Sequence, residues 1–216
     1  MNRAILLAGL VLIAAVWALA NAQTAAEPLP AVQLSKALET LPTRSGPMPT
    51  TSPGIPHVQR DQNAPIGMQK VLLEAVQSLP DVELWETRYS LPGSVGWLLP
   101  ERLRQGPKNA FTPEGEFGHA HRSQDGSMHL RLPAAVGREV LKKGWGIWHP
   151  FSASITGGSD VSYLMIFGPR NEIELKAVWV IVQSSYALAR GLALEDTPST
   201  AIDPATGNPS KNSGSP

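Results

Sequence analysis

The chain has 216 residues, a length for one domain with appendages, and carries 18 acidic and 18 basic side chains, so its formal charge is zero. That balance gives no broad electrostatic case for nucleic acid or an acidic surface. Cysteine is absent, which excludes disulfides, thiolate metal sites, a cysteine nucleophile and a lipidated N-terminal cysteine, while 42% hydrophobic residues are enough for a core.

The first 22 residues read as a secretory signal peptide. Arg3 precedes an apolar run from Ala4 to Ala20, and Ala20-Asn21-Ala22 offers a small-x-small cleavage site before Gln23. The alternative is an uncleaved single anchor, since the run approaches the ~20 residues that span a bilayer. Either reading places the domain outside the cytoplasm, periplasmic or secreted, with membrane contact only through this segment if it is retained. Residues 23–65, with PLP, GPMP and SPGIP, read as a proline-rich, solvated linker in which His57 is an isolated surface histidine. The folded unit is expected over 66–194, and 195–216 reads as a disordered tail rich in Pro, Ser, Gly, Asn and Thr.

Within the unit, MQKVLLEAVQSL (Met68–Leu79) places Val71, Leu72, Ala75, Val76 and Leu79 on one helical face before Pro80. VELWETRYS (Val82–Ser90) and SVGWLLP read as extended pieces, and 100–113 as a loop. A histidine-rich hairpin follows. Ala134–Lys143 is a helix closed by Gly144. Val161–Phe167 is an apolar strand. The last helix opens at Asn171, with Glu174 completing a capping-box pattern, and its apolar middle is expected to lie deep against the sheet. Strands in runs with few crossovers predict an α+β two-layer sandwich, a mainly antiparallel sheet with helices on one face.

The hairpin, EFGHAHRSQDGSMHLRLP, holds His119, His121 and His129, and His149 lies shortly beyond. Alternation puts His119 and His121 on one face. A two-residue Asp125-Gly126 loop turns His129 away from them. A three-residue loop, Gln124-Asp125-Gly126, pairs 121 with 129 and brings the three rings together. The second register separates Gly118, Ala120, Leu130 and Leu132 cleanly from His119, His121, His129 and Arg131, and is preferred for that reason. Grouped imidazoles suit metal ligation by His119, His121 and His129, to zinc, iron, copper or manganese, or proton transfer near neutral pH. A polar open face with water-bonded rings is the plainer reading. Trp145 and Trp148 either wall an aromatic pocket or plug the core. No G-x-S-x-G elbow occurs, and Gly157-Gly158 lacks a phosphate-loop setting.

GEFGHAH, SMHLRL, GREVLKKGWGIWHP and YLMIFGPRNEIELKAVWVIVQSSYA resemble the fungal bioluminescence luciferase domain family. The matching positions are Glu116, His119, His121, His129, Gly137, Glu139 to Gly146, His149, Pro150 and Pro169 to Glu172. The resemblance runs from about Leu84 to Tyr186 and is strongest from Glu116 onward. It implies a shared fold and pocket. The family's luminous members oxidise 3-hydroxyhispidin with O2 and need no added organic cofactor.

Together these observations imply an exported oxygenase-like enzyme with O2 as cosubstrate, acting on a small aromatic or enolic molecule. His119 or His121 would take a proton, His129 and His149 would orient the substrate or hold a divalent metal, and Arg131 would stabilise an oxyanion. Trp145, Trp148, Arg170 and Glu116 are further candidates for contact with substrate. Strict alternation puts Glu116 opposite His119 unless a bulge intervenes. The alternative from another class is a non-enzymatic exported module that binds a metal or an aromatic ligand. Metal-dependent hydrolysis would need a general-base carboxylate, and only Glu116 is available for it.

Overall fold

The computed structural model describes residues 32–158 and 160–210. The expected leader over 1–22 lies outside the described residues, as do the ends of the expected linker and tail. Among the described residues no helix is long and apolar enough to cross a membrane.

The chain opens with α1 (Leu34–Glu39), then α2 (Ile66–Gln77), β1 (Glu83–Glu86), β2 (Val95–Leu98), two short 3₁₀ turns, β3 (Glu116–Ala120) and β4 (Met128–Pro133). Next come α3 (Ala134–Lys142), β5 (Gly146–Trp148), α4 (Ser152–Thr156), β6 (Val161–Ile166) and α5 (Glu172–Arg190), and a small hairpin of β7 (Ala201–Ile202) and β8 (Pro209–Ser210). The main sheet has the order β1-β2-β3-β4-β6-β5, and every neighbouring pair is antiparallel. This is the expected α+β sandwich. One face carries Leu130, Leu132, Leu164 and Ile166, which join Val136, Val140, Val178, Ile181 and Val182 of α3 and α5 in the core. Burying that apolar face against helices is what stabilises the two layers.

The helix ends follow their chemistry. Asn171 Oδ1 accepts the backbone N–H of Glu174 at 3.0 Å, the expected N-cap. The Glu174 carboxylate does not reach back to Asn171, as a capping box requires. It accepts instead from the backbone N–H and guanidinium of Arg170. Gly144 closes α3 with φ 75°, the left-handed conformation expected of a glycine there.

The proline-rich stretch contributes to the domain rather than to solvent. Leu34, Leu38 and Leu41 are buried in the core cluster, as is Ile202 from beyond residue 195. Arg44 lies over the Phe167 ring. Lys143 Nζ donates to the carbonyls of Glu39 and Leu41. Prolines block regular structure, but they do not prevent the apolar residues between them from packing.

Candidate functional site

β3 and β4 turn their faces as expected, but in a register shifted by two. His119 pairs with His129, Gly118 with Leu130 and Ala120 with Met128. The turn is correspondingly longer, closed by His121 N–H to the Ser127 carbonyl at 2.9 Å. A shift of two keeps every side chain on its own face. The leucines therefore pack against helices, and His119, His121, His129 and Arg131 share the other face with Tyr163 and Met165 of β6.

A bulge brings in Glu116. On β2, Trp97 and Leu98 are consecutive, while their partners on β3 are Gly118 and Glu116. Phe117 is the extra residue, and it is buried in the core. Glu116 thereby joins the face of His119 three residues on, and its Oε1 accepts from His119 Nδ1 at 2.7 Å. Its other oxygen accepts Trp85 Nε1–H at 2.8 Å. Both groups lie across Gly96, where a Cβ would come within 2.2 Å of Glu116 Oε2 and of Trp85 Nε1.

All five histidines converge. His119 Nε2 lies 2.9 Å from His129 Nδ1. His121 sits with its ring 4.9 Å from that of His129, and His149 stands edge-on to His129 at 4.6 Å. His57 stacks on His129 with centroids 5.4 Å apart and meets His149 at 5.2 Å. The expectation of an isolated surface histidine is overturned here: His57 is 4% exposed. Chain return from a distant segment produces this placement. Gln59 N–H donates to Asp125 Oδ2 at 3.0 Å, and Gly168 N–H donates to Gln59 Oε1 at 3.0 Å. Those bonds seat His57 over the hairpin.

Asp125 was hidden in the turn. Its carboxylate lies 3.2 Å from His121 Nδ1 through both oxygens and accepts the Ser127 backbone N–H at 2.7 Å. Its place four residues after His121, within reach of the same ring, was the only sequence signal. A carboxylate can only accept, so Asp125 and Glu116 fix the Nδ1–H tautomers of His121 and His119.

Burial lowers the pKa of His57, His119, His129 and His149, His129 well below its ordinary value and His149 to about 3. Repulsion from neighbouring imidazoles adds to the effect, and Glu116 opposes it at His119. Burial also raises the Tyr163 phenol to about 12. Asp125 is pulled upward by burial, but hydrogen bonds from His121 and Ser127 prevail and hold it below the usual range. These four rings are neutral at pH 7, and the lone pairs of His119 Nε2 and His149 Nδ1 already accept from His129 and from the Phe151 N–H.

A cleft of about 420 Å3 opens over the cluster, lined by His57, His121, His129 and His149 and by 88–92 and Ile55-Pro56. It does not include the other sequence candidates. Arg131 is buried on the imidazole face, with its guanidinium 4.9 Å over the Tyr163 ring. Trp145 is a core residue whose Nε1–H donates to the Pro42 carbonyl at 2.6 Å. Trp148 pairs with Leu164, on the opposite face of the sheet, and lines a separate cleft beside His149. Arg170 is committed to Glu174, to Gln62 at 2.8 Å and to the Ser45 carbonyl at 2.7 Å. Two groups of three imidazoles have ligand atoms close enough for one ion: His119, His121 and His129, and His57, His129 and His149.

The profile of the family described as Luciferase domain matches residues 114–185, the span holding every site histidine but His57. The luciferase of Armillaria mellea is 32% identical over 164 residues, covering 68% of this chain and 60% of that protein. The luciferase of Armillaria gallica is 33% identical over 164 residues, and that of Neonothopanus nambi 29% over 163. The chain spans about 60% of the length of these curated relatives. No solved structure matches it. The matched span opens on the histidine-lined hairpin, and by these matches the chain belongs to the fungal luciferase-like domain family.

Proposed function

We propose that this chain is an exported oxygenase-like enzyme that brings O2 to a small, electron-rich aromatic or enolic substrate in the cleft over the imidazoles. The observation that carries the reading is the His121–Asp125 pair. His121 lines the cleft, and Asp125 holds its Nδ1–H, so Nε2 offers a lone pair to an incoming enol or phenol. Nε2 takes the O–H proton, and the resulting enolate is the electron-rich species that reacts with O2. The Asp125 carboxylate stabilises the imidazolium that forms. His129 and His149, neutral and facing the same space, orient the substrate. Relatives named as luciferases support the use of O2, and light emission is not part of the proposal. The apolar N-terminal segment supports export.

Oxygen consumption by the purified full chain, measured on a panel of polyphenols and hydroxypyrones, tests this. Turnover that falls by about 10²–10⁴-fold in His121→Ala, with the fold intact by circular dichroism, is expected. Undiminished uptake in that variant removes His121 from the chemistry. Stoichiometric binding of these compounds without any oxygen uptake makes the domain a binding module instead.

A further inference from the structure

The two trios of imidazoles differ in which nitrogens are already committed. In His119, His121 and His129 two of the three rings are already bonded to each other. His119 Nδ1–H goes to Glu116 at 2.7 Å, His119 Nε2 and His129 Nδ1 bond each other at 2.9 Å, and His121 Nδ1–H goes to Asp125. An ion bound there would have to break the His119–His129 bond.

The other trio is open. Because His119 carries its proton on Nδ1, its Nε2 accepts, and His129 must donate from Nδ1. The lone pair of His129 is therefore on Nε2. That atom is buried with no hydrogen-bond partner, and so is Nδ1 of His57. Two buried imidazole nitrogens without partners on stacked rings are costly, and a bound cation would relieve that cost. His149 stands edge-on to both rings, and one ligand atom from each of the three lies within 4.8 Å of the others.

We propose that His57, His129 and His149 bind one divalent transition-metal ion of the imidazole-preferring class (zinc, copper, nickel or iron) at the wall of the cleft. Behind His129 the chain His129–His119–Glu116 is the outer shell that fixes the ligating tautomer, a carboxylate acting through a second imidazole. His149 is the weakest of the three ligands. Its Nδ1 accepts the Phe151 N–H at 3.1 Å, so the metal-free ring keeps its proton on Nε2, and ligation must exchange that arrangement. Three imidazole ligands would leave a coordination position for water or substrate, and all three rings line the cleft that His121 also lines. His57 lies outside the family-matched span 114–185, so the site depends on the N-terminal segment as well as the hairpin. The inference deepens the proposed oxygenase reading by placing an ion beside the base, but binding itself requires no turnover.

The test is titration of the chelator-treated full chain with Co2+, read by visible d–d absorption and calorimetry. One ion per chain with an imidazole-type spectrum is expected. His57→Ala, at the edge of the cluster, should abolish tight binding while circular dichroism shows the fold retained; His129→Ala should do the same if it folds. Glu116→Gln should weaken binding about tenfold. His121→Ala should leave the titration unchanged. Absence of a d–d band in the wild-type chain overturns the proposal, as does a wild-type titration in His57→Ala or loss of binding in His121→Ala alone. If Co2+ does not bind but metal-free protein consumes oxygen through His121, only the metal inference fails; if Co2+ binds and no oxygen is consumed, only the oxygenase reading fails.

Discussion

Glu116 and His119 lie on one face of one strand although three positions separate them, and the residue that makes this so is Phe117, the bulge that drops into the core. The arrangement needs Gly96 across the sheet, because a Cβ there would collide with both Glu116 Oε2 and Trp85 Nε1 at 2.2 Å. Gly96→Ala should therefore destabilise the fold by about 1–3 kcal/mol, the cost of overpacking a rigid site. It should also lower oxygen uptake by displacing the Glu116 carboxylate from His119. Urea denaturation with parallel oxygen-electrode assays checks both. An alanine variant of wild-type stability would mean that the Trp85–Glu116 contact is dispensable.

Asp125 ties together three groups: His121, the Ser127 backbone and the Gln59 backbone that seats His57. Asp125→Asn keeps the shape but replaces one accepting oxygen with a donor, so one N–H partner must face another N–H. A loss of about 1.5–3 kcal/mol is expected, the range for a hydrogen bond to a charged group. Under the proposed mechanism the same change also frees the His121 tautomer. Turnover should then fall more than substrate affinity, as kcat measured against KM will show.

The parts of this architecture that rest on local periodicity were legible in the sequence. Alternation alone separates Leu130 and Leu132 from His129 and Arg131, and a capping asparagine and a closing glycine mark the ends of helices. The hairpin register was off by two, because the turn that folds Asp125 inward as an acceptor is longer than the three-residue loop expected. Strand alternation put Glu116 on the wrong face, since a bulge is a property of two strands and one strand's pattern does not reveal it. His57 was invisible for a related reason. Its position depends on Gln59 bonding residues 66 and 109 positions away, and no local pattern encodes that return. Trp145 and Arg170 stand in conspicuous motifs, yet their contacts are structural.

If the segment before residue 66 is part of the domain, its leucines should carry stability. Leu34 is fully buried in the core cluster, and its backbone N–H donates to the Thr197 carbonyl at 2.8 Å. Leu34→Ala should cost about 2–5 kcal/mol, as a large-to-small change in a packed core does. A surface leucine would cost far less, so chemical denaturation distinguishes a packed segment from a solvated one. A midpoint unchanged from wild type would show that this segment does not share in the cooperative fold.

Acid should weaken this protein earlier than it weakens one stabilised by carboxylates alone. His149 has a pKa of about 3 in the fold against an ordinary 6.5, and His57, His119 and His129 are also lowered, burial being the largest cause in each. Between the two values of each ring the unfolded chain binds a proton and the folded chain does not, so stability rises with pH across that window. The contribution is complete above about 6.5 and is lost progressively as pH falls toward 3. Asp125, whose pKa is lowered in the fold, adds a further loss below its ordinary 3.8. Urea unfolding free energies measured from pH 8 down to 5 should thus hold steady and then fall from near 6.5, with a shallower fall in His149→Asn. The same decline should appear in metal-free protein, because it follows from burying neutral rings. A free energy that stays flat to pH 5 would mean that the folded cluster takes up protons as readily as the unfolded chain, and that burial does not hold its rings neutral in acid.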